Sequence, residues 1–502
     1  MSAPHIIIGG GHNGLVAGIE LARSGRRVIL LEARDEVGGL GRGESFADGF
    51  STTGLLHDAS GFRHELVQQL DLGSHGLMPR REPLRFSLPS KDSATIHVKA
   101  DEVDGVDADE QQRFREMHAQ IERFRKPLLR ILGRKALDPL GPYLPLIGPL
   151  SRIRLLGARD MTALMRIPPM AVADWMRDAL GNERLRAGVA HRALLGEWLG
   201  PWSPWSSANL LLALCTEGAG FVGGPAAVVS ALESAAQQAG VEIRTQSRVR
   251  TIRIENERAV GVELENGEFL EACLVASACD PHTTFLNLLG PAQLSNRLAM
   301  DMRNVRVRGT TAKMHLGIRG TLKDREGHPV AAMRTGACLD DLERAFDALK
   351  YDEISKEPIL DIRVPTLEQP ELAPDGHHVV SIMIHFAPYD LKGGWNDEQK
   401  ALLRARTLKV LEEVCPGTQE RIVASELLSP IDIETRYGCT KGHIFHGEHA
   451  PDQLMFMRPT IQCAHHSTPI QGLFLCGSGS HPGGGITGMP GRLGAQAMLA
   501  GR

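Results

Sequence analysis

The 502-residue sequence predicts an α/β fold in which a domain with a Rossmann-type parallel sheet is interleaved with a second, α+β domain. Three observations support this prediction. The chain opens with a strand, a glycine turn, a helix and a strand. A helix, a strand, a β-meander and a further strand follow near its middle, and a glycine-rich segment follows a strand near its end. Because one core rarely grows past about 250–300 residues, two packed domains are expected.

A βαβ unit is predicted at the start of the chain. The apolar run His5–Ile8 is typical of a strand, Asn13–Ser24 has helical periodicity and ends at Gly25, and Val28–Glu32 is predicted as a second strand. Two strands joined through a single helix lie parallel to each other. The unit therefore supplies the first two strands of the predicted sheet.

The turn between the first strand and the helix contains Gly9, Gly11 and Gly14, which have the G-x-G-x-x-G spacing of a dinucleotide-binding site. Gly9 permits the tight turn, Gly11 lets a pyrophosphate approach the backbone, and Gly14 lets helix and strand pack closely. Asn13 lies in the same turn, where the free N–H groups of the helix favour a diphosphate. Glu32 follows Gly11 by 21 residues and is expected to bind the ribose and to disfavour NADP.

A second glycine motif follows the acidic residue directly. Arg34, Gly38 and Gly39 form an R-x-x-x-G-G pattern, which resembles the second conserved motif of FAD-binding flavoproteins and is absent from plain NAD dehydrogenases. Two consecutive glycines let the chain fold back over a diphosphate without a Cβ clash. FAD is therefore the expected cofactor.

The chain becomes helical and irregular between about Phe62 and Cys215, with Gln111–Leu132 as a predicted helix. Proline-rich apolar segments follow, and the stretch from Arg123 to Arg166 holds ten Lys or Arg against two Asp or Glu. We expect segment 123–170 to form a lid or to contact an anionic membrane surface. The alternative is a solvated surface on which basic side chains lie over apolar packing.

The middle block is predicted to complete the nucleotide-binding half. Helix Ala226–Ala239 ends at Gly240, and Val249 falls where its backbone can meet an adenine. The predicted strands of this block are Val241–Thr245, Val249–Glu255, Ala259–Glu265, Phe269–Leu270 and Leu274–Ala278. The remainder of the second domain is predicted as a mixed sheet with strands Thr310–Ile318, Asp361–Thr366 and Val379–Ala387 and the helix Asp397–Val414.

The last block runs from a strand at Gly472–Gly477 into a glycine-rich segment that ends at Arg492. A backbone that must approach a flat ring or a phosphate explains this density of glycine, and Gly477 and Gly485 are therefore expected at the cofactor. A helix beginning near Ile486 would direct its N–H groups at the pyrimidine end of a flavin.

Together these stretches resemble the phytoene desaturase-like flavoproteins: carotenoid desaturases, ketolases and isomerases, and the branch named for pyridine nucleotide-disulphide oxidoreductase domain 2. The resemblance implies a two-domain enzyme with non-covalent FAD that inserts, removes or shifts carbon–carbon double bonds in apolar substrates. The Ser-Gly-Gly-Cys run that often holds covalent flavin in related amine oxidases is absent, and the family's Gly-Gly-Met is Gly223-Gly224-Pro225 here. The matching stretches are Ile6–Gly39, Gly223–Ser277, Gly438–Glu448 and Gly472–Arg492.

Both domains are expected to be discontinuous, because the motifs at Gly9 and Gly485 require the two chain ends to meet on one FAD. Residues 1–61, 216–285 and 430–502 are assigned to the FAD-binding domain. Residues 62–215 and 286–429 are assigned to the substrate domain.

Composition narrows the class of protein. The net charge of −4 gives no reason to expect a nucleic-acid partner. None of the eight cysteines forms a C-x-x-C pair, which argues against a zinc ribbon or a redox-active dithiol and favours reduced thiols. The first residues lack the features of a signal peptide, and the longest uncharged run, Trp198–Thr216, is too polar to span a bilayer. We expect a cytoplasmic protein that could also work at the membrane surface.

Two residues are predicted to act in catalysis. His481 lies in the glycine-rich segment, where it is expected to line the flavin pocket as an acid or base. Lys313 resembles in position the lysine that holds a water near the flavin in the wider amine-oxidase group. Arg436 and His57 are weaker candidates.

Other histidines are expected to have no role in chemistry. His443, His446 and His449 recur every three residues, but Gly442 and Gly447 interrupt any helix that could align them, so no metal is expected. The pairs His377-His378 and His465-His466 are expected to be polar loop or strand-end residues.

Three functions remain open on the sequence. The first is an FAD oxidoreductase acting on carbon–carbon bonds of an isoprenoid, carotenoid-like or other lipidic substrate. The second is an FAD oxidase or dehydrogenase of a smaller natural product or amine. The third is a non-catalytic carrier of prenylated cargo on the same fold. The intact glycine motifs speak against the third, and the oligomeric state stays open.

Overall fold

The computed structural model describes residues 3–90, 93–137, 148 and 154–501. Its strands, numbered in chain order, are β1 His5–Ile8, β2 Val28–Leu31, β3 Ser45–Ala47, β4 Phe50–Ser51, β5 Phe86–Leu88, β6 Ile96–Lys99, β7 Glu102–Asp104, β8 Glu242–Arg244, β9 Val249–Glu255, β10 Arg258–Leu264, β11 Phe269–Glu271, β12 Leu274–Ser277, β13 Thr311–Arg319, β14 Ala332–Arg334, β15 Leu360–Arg363, β16 His377–His385, β17 Ile422–Leu428 and β18 Leu473–Leu475. Its α-helices include His12–Arg23, His64–Gln69, Ala108–Leu132, Ala158–Arg166, Val172–Ala179, Glu183–Leu194, Ser206–Thr216, Gly224–Gln238, Asn296–Asn304, Leu339–Lys350, Asp397–Val414, Pro430–Tyr437 and Met489–Ala500.

A five-stranded parallel sheet has the order β18–β12–β1–β2–β8. β1 lies in its middle, with His5 beside Val28 of β2 and Leu274 of β12. Every residue of β1, β2 and β12 is buried, as expected for a parallel sheet whose two faces are covered. The predicted Rossmann-type sheet is confirmed.

The two ends of the described chain meet in this sheet, as predicted. The Asn13 side-chain amide donates to Ser478 Oγ at 3.0 Å. A Cβ on Gly491 would lie 2.1 Å from the backbone oxygen of Asn13, so the helix that starts at Met489 can approach the first helix this closely only with glycine at that position. Packing at the chain ends therefore shapes the same edge of the sheet that the glycine motifs occupy.

The predicted meander forms a three-stranded antiparallel sheet in the order β11–β10–β9. Its inner side chains, such as Ile252 and Val262, share a core with Phe285 and with Ile6 and Ile29 of the parallel sheet. The meander thus packs against the nucleotide-binding half, which agrees with the order of elements in the sequence.

An eight-stranded mixed sheet has the order β17–β13–β16–β15–β14–β5–β6–β7. Its longest pair is β13 with β16, in antiparallel register from Thr311 opposite His385 to Arg319 opposite His377. The sequence predicted β13, β15 and β16, whereas strands of three or four residues such as β5, β6 and β14 show too little alternation to be recognised. The strands of this sheet come from residues 86–104 and 311–428. The proposed domain boundaries stay a prediction.

A helical layer, built around Ala108–Leu132, covers part of this second half. The helix begins three residues before its predicted start, because the Asp107 carboxylate accepts from the Glu110 backbone N–H at 2.8 Å and caps it. Within the described ranges, no helix is both long and apolar enough to cross a membrane. The proposed lid or membrane contact of segment 123–170 lies partly outside the described residues and stays a prediction.

The last helix corrects one expectation. It begins at Met489 and not near Ile486, because Gly488 precedes it with φ +73° in the left-handed region and Pro490 occupies its first turn. Residues around Ile486 are therefore an irregular loop, and the N–H groups of the helix start three residues later than predicted.

Candidate functional site

A cavity lies where β1, β2 and β12 end, and we call it the cofactor cavity. It also receives residues from Ser247–Val249, Ala278–Asp280 and Arg436–Cys439, so segments far apart in sequence close it. The predicted cofactor residues that line it are Gly9, Gly11, Asn13, Gly14, Glu32, Arg34, Gly39, Val249 and Gly485.

The three glycines of the first turn have different physical roles. Gly9 has φ +97°, a conformation that side-chain-bearing residues rarely adopt. A Cβ on Gly14 would lie 2.0 Å from the Gly9 carbonyl oxygen, which the backbone cannot accommodate. A Cβ on Gly11 would have no protein atom within 4 Å, because this position faces the cavity. A side chain there would take space from a ligand.

Glu32 lies at the end of β2, with about 9% of its surface exposed. One carboxylate oxygen accepts from the Gly10 backbone N–H at 2.8 Å and the other from the Arg34 backbone N–H at 2.9 Å. These two bonds hold the carboxylate in the cavity wall, where its remaining lone pairs can accept from ribose hydroxyls.

The polar atoms of the cavity wall that are buried without a partner include Arg34 Nη1 and His12 Nε2. The other end of the Arg34 guanidinium pairs with Glu44, and the group lies 4.9 Å over the Tyr437 ring. Burial lowers the pKa of His12 to about 4, so its imidazole is neutral near pH 7. Orphaned buried polar atoms are rare in native proteins, and here both line a cavity that a polar ligand can fill.

Three predicted cofactor residues lie elsewhere. A Cβ on Gly38 would come within 2.6 Å of Val229, and one on Gly477 within 2.4 Å of the Ala278 carbonyl oxygen, so both glycines are required by chain packing behind the wall. Ile486 lines a neighbouring cavity. The structure thus places these residues next to the cofactor cavity but not in its described lining.

The sequence interpretation missed a polar cluster at the carboxyl end of β12. Asp280 is buried and accepts from Thr283 Oγ1 at 2.7 Å and Thr440 Oγ1 at 2.8 Å. Arg436, one of the weaker candidates, also lines this side and pairs with Glu426 at 2.7 Å. The position of Asp280 directly after a parallel strand was the available signal, because such strand ends meet at one edge of the sheet.

A second cavity adjoins the first and shares Leu56 and Gly485 with it. One wall is the helix Ser206–Thr216, and the glycine-rich loop forms another. Its apolar lining consists of Leu56, Leu132, Ala193, Leu195, Leu212, Ala213, Met383, Phe445, Pro482 and Ile486.

Most charged side chains of the second cavity are paired. Arg192 binds Glu217 and lies 3.1 Å from Asp58, and Glu197 accepts from the His449 imidazole at 2.7 Å. Burial would raise the pKa of Asp58, but Arg192 and Arg363 outweigh it and hold that pKa well below its usual range. Burial raises the pKa of Glu217 despite the nearby Arg192.

Lys313 and His57 lie together beneath this cavity. Lys313 is fully buried on β13, and its Nζ lies 3.3 Å from His57 Nδ1, to which it can donate. Burial lowers the pKa of Lys313 to about 7 and, with the lysine as second cause, holds the pKa of His57 well below its usual range. His57 lines the cavity, whereas Lys313 is not part of its described lining.

His481 lines neither of these cavities within the described residues. Its Nε2 lies 3.0 Å from the Arg134 carbonyl oxygen, and burial lowers its pKa to about 3. Because the ring faces the chain at Arg134, the predicted acid or base role gains no support from its position. That role stays a prediction.

The spaced histidines point in different directions. His443 Nδ1 accepts from the Phe445 N–H at 3.2 Å, His446 lines the cofactor cavity, and His449 lines the second cavity. Among the residues that the structure describes, no group of three or more His, Cys, Asp or Glu side chains is arranged to hold a metal ion.

The site geometry can be compared with known proteins. A family model described as flavin containing amine oxidoreductase matches residues 14–493. The chain belongs to this family. This flavin oxidoreductase therefore uses FAD, and its resemblance to the phytoene desaturase-like flavoproteins is confirmed. Because the family consists of oxidoreductases, the third hypothesis, a non-catalytic carrier of prenylated cargo, is dropped.

Three relatives of this flavin oxidoreductase match nearly its whole length. It is 29% identical to pyridine nucleotide-disulfide oxidoreductase domain-containing protein 2 of Mus musculus, over 98% of this chain and 93% of the relative. It is 25% identical to one of the subunits of limonene dehydrogenase from Castellaniella defragrans, over 96% and 92%. It is also 25% identical to a lycopene-forming phytoene desaturase of Paracoccus, over 99% and 97%.

The fold is also that of a solved oxidoreductase from Methanosarcina mazei, with a TM-score of 0.61 and 16% identity over 99% of this chain and 100% of the other.

The residues of the cofactor cavity fit FAD. Gly11 leaves space at the backbone, Glu32 presents a fixed carboxylate, and Arg34 and His12 offer unpartnered buried nitrogens.

Proposed function

We propose that this flavin oxidoreductase forms, removes or shifts a carbon–carbon double bond in an isoprenoid-like or other lipidic substrate bound in the second cavity. The observation that carries the proposal is the junction of the two cavities at Leu56 and Gly485, which puts a largely apolar wall beside the cofactor. Phe445 is the one Phe, Tyr or Trp in the described wall, so the cavity lacks the ring of aromatics that favours an amine.

The names of two relatives support the same class of reaction. One belongs to a dehydrogenase of limonene and the other is a desaturase of phytoene. Both names concern isoprenoid hydrocarbons and their oxidation, and the second name states a desaturation. This support is independent of the cavity lining.

FAD, when bound, supplies the two-electron redox chemistry. The chain's own part is to hold the substrate, exclude water and move a proton. His57 lines the second cavity, and burial lowers its pKa, so its imidazole is neutral near pH 7. In this proposal it is the proton acceptor for a substrate carbon, and its Nδ1 must be released by Lys313 before it takes the proton. Lys313 contacts His57 from the buried side and sets its orientation, which makes it a positioning residue in this proposal.

The test is anaerobic mixing of the FAD-loaded protein with a panel of isoprenoid hydrocarbons, lipids and amines while the flavin absorbance is recorded. We expect an isoprenoid or lipid to bleach the oxidised flavin if it gains a double bond, to reoxidise dithionite-reduced flavin if it loses one, and to yield an isomer if its double bond moves. Bleaching by amines alone would overturn the proposal.

An oxidase or dehydrogenase of a smaller polar compound is the second candidate. It is favoured by the carboxylates Asp58, Glu197 and Glu217 in the cavity wall, which an ammonium group could approach. Each of them already has a cationic or imidazole partner, and for this reason we rank this candidate second.

A further inference from the structure

Arg63 is a buried cation without a partner in the second cavity. Its residue surface is about 6% exposed, and its side chain lines the cavity. Nε is buried without a hydrogen bond. The charge of Glu65 acts on Arg63 from nearby, but no carboxylate of a described residue forms an ion pair with the guanidinium. Burial lowers the pKa of Arg63 to about 10, so the group is charged near pH 7.

The other charged groups of the same wall differ from Arg63 in this respect. Arg192 has two carboxylate partners, and Glu197 has His449. A buried charge without a counter-ion is costly, and proteins keep one where a ligand completes the pair. Arg63 therefore marks a place for an anion.

Asn209 is a second unpartnered polar side chain in this wall. Both its amide nitrogen and its amide oxygen are buried without a hydrogen bond. It lies on the helix Ser206–Thr216, and Leu212, Ala213 and Thr216 line the cavity from the same face at the spacing of helical turns. The helix thus presents one free amide next to apolar side chains.

The remaining wall sets the rest of the ligand. The side chains of Leu132, Leu195, Phe445 and Ile486 are apolar. Transfer of a hydrocarbon chain from water to this wall is therefore favourable. One unpaired cation, one free amide and an apolar wall together suit a molecule with a single anionic end and a hydrocarbon body.

We infer that the second cavity binds the carboxylate of an otherwise apolar acid, with Arg63 as its counter-ion and Asn209 as a further hydrogen-bonding partner. This inference rests on the proposed function and narrows its substrate class from lipids in general to lipidic carboxylic acids.

The test uses the FAD-loaded protein, with farnesoic acid and methyl farnesoate as probes that share one chain and differ in charge. Calorimetry gives the Kd of each. We expect the acid to bind roughly 10- to 100-fold more tightly than the ester, as a buried charge-assisted pair predicts. Arg63→Gln should remove this preference and change the ester Kd by no more than about twofold. Arg63→Lys should keep part of the preference for the acid, because it keeps the positive charge. Arg297→Gln, at an exposed helical position, is the control and should bind both probes as the wild type does.

A structural role for Arg63 is tested in parallel. Because the guanidinium has no protein partner among the described residues, Arg63→Gln should not lower the Tm. Asn209→Asp provides a second variant, since a carboxylate in the same wall should repel the acid and weaken its binding more than that of the ester.

Three results would overturn the inference. The first is equal binding of acid and ester by the wild type, and the second is an acid preference that survives Arg63→Gln. The third is tighter binding of leucine, a carboxylic acid that also carries an ammonium group, than of farnesoic acid. Anaerobic bleaching separates this inference from the proposed function. An Arg63-dependent preference leaves the carboxylate site standing even when no lipid bleaches oxidised flavin, reoxidises reduced flavin or is isomerised, and that combination refutes the function. Bleaching by a neutral isoprenoid, without any preference for the acid over the ester, supports the proposed function and refutes the carboxylate site.

Discussion

The two cavities of this flavin oxidoreductase are built in different ways. The cofactor cavity is shaped by the glycine turn Gly9–Gly14 and by a carboxylate that backbone N–H groups hold in place, whereas the second cavity is lined by charged and apolar side chains from helices and loops. Its ions are paired with one another, apart from Arg63. A backbone site depends on local sequence, and a side-chain site depends on which segments the fold brings together.

This difference predicts how each cavity responds to mutation. Substitutions in the cofactor cavity should act through backbone clashes or lost backbone hydrogen bonds. Substitutions in the second cavity should leave FAD bound and change substrate binding, rate or pH dependence. Four experiments test this contrast, in order of decreasing effect.

The largest effect is expected for Gly14→Ala. The new Cβ would lie 2.0 Å from the Gly9 carbonyl oxygen, so the turn must open, and we expect the protein to lose its flavin or to fail to fold. Gly18→Ala on the same helix is the control, because its Cβ would be 3.5 Å from Val241, an ordinary contact. Flavin absorbance of the purified variants checks this, and a yellow, stable Gly14→Ala protein would contradict it.

The next largest effect separates two histidines. His57→Gln should lower the rate of anaerobic flavin reduction about 100-fold with FAD still bound, because it removes a proton acceptor from the cavity. His481→Gln should change that rate by less than about threefold, since its ring faces the Arg134 carbonyl. Stopped-flow absorbance measures both. A large rate loss in the His481 variant alone would restore the acid or base role predicted from the sequence.

A smaller effect is expected for Glu32→Ala. Loss of the carboxylate leaves the Gly10 and Arg34 N–H groups unpaired and removes the ribose acceptor, so the Kd for FAD should rise roughly 10- to 100-fold. Glu36→Ala is the neighbouring control, because the Glu36 side chain is 52% exposed and pairs with Arg42 outside the cavity. Titration of the apoprotein with FAD measures both, and unchanged FAD affinity in Glu32→Ala would refute the ribose role.

The smallest effect on the two cavities is expected at Lys313, where the change lies in the pH dependence of stability. Burial lowers the pKa of this lysine from 10.5 to about 7, so between these values the unfolded chain binds more protons than the native one. Its contribution to the free energy of unfolding should therefore rise with pH across that range, by up to roughly 1.4 kcal/mol per unit. Urea unfolding of wild type and Lys313→Met at pH values from about 7 to about 9 should show a growing difference. Exposed Lys409→Met should show none, and a flat difference for Lys313 would contradict the lowered pKa.

Sequence predicted the cofactor half well because its signals are local. β1 and β9 match their predicted bounds, β2 ends one residue before its predicted end, and nine of the predicted cofactor residues line the cavity. Gly38 and Gly477 do not, because glycine is needed both at a ligand and at a close chain crossing, and spacing alone does not separate the two. Ile486 lines the second cavity instead.

The second half was predicted less completely. The helices Val172–Ala179 and Glu183–Leu194 and several short strands were missed, since their periodicity is weak or too short. The pairing of His57 with Lys313, 256 residues apart, has no sequence signal at all. Only the pairing of β13 with β16 and the packing beneath the cavity bring such residues together.

The sequence by itself determined the cofactor, the parallel sheet and the meeting of the two chain ends, because glycine spacing and apolar runs act over a few residues of backbone. Tertiary structure alone decided which cavity lies beside the cofactor, which of its ions are paired and that Arg63 is left without a partner. Pairing and burial of side chains depend on long-range contacts, and these arise only when the whole chain has folded.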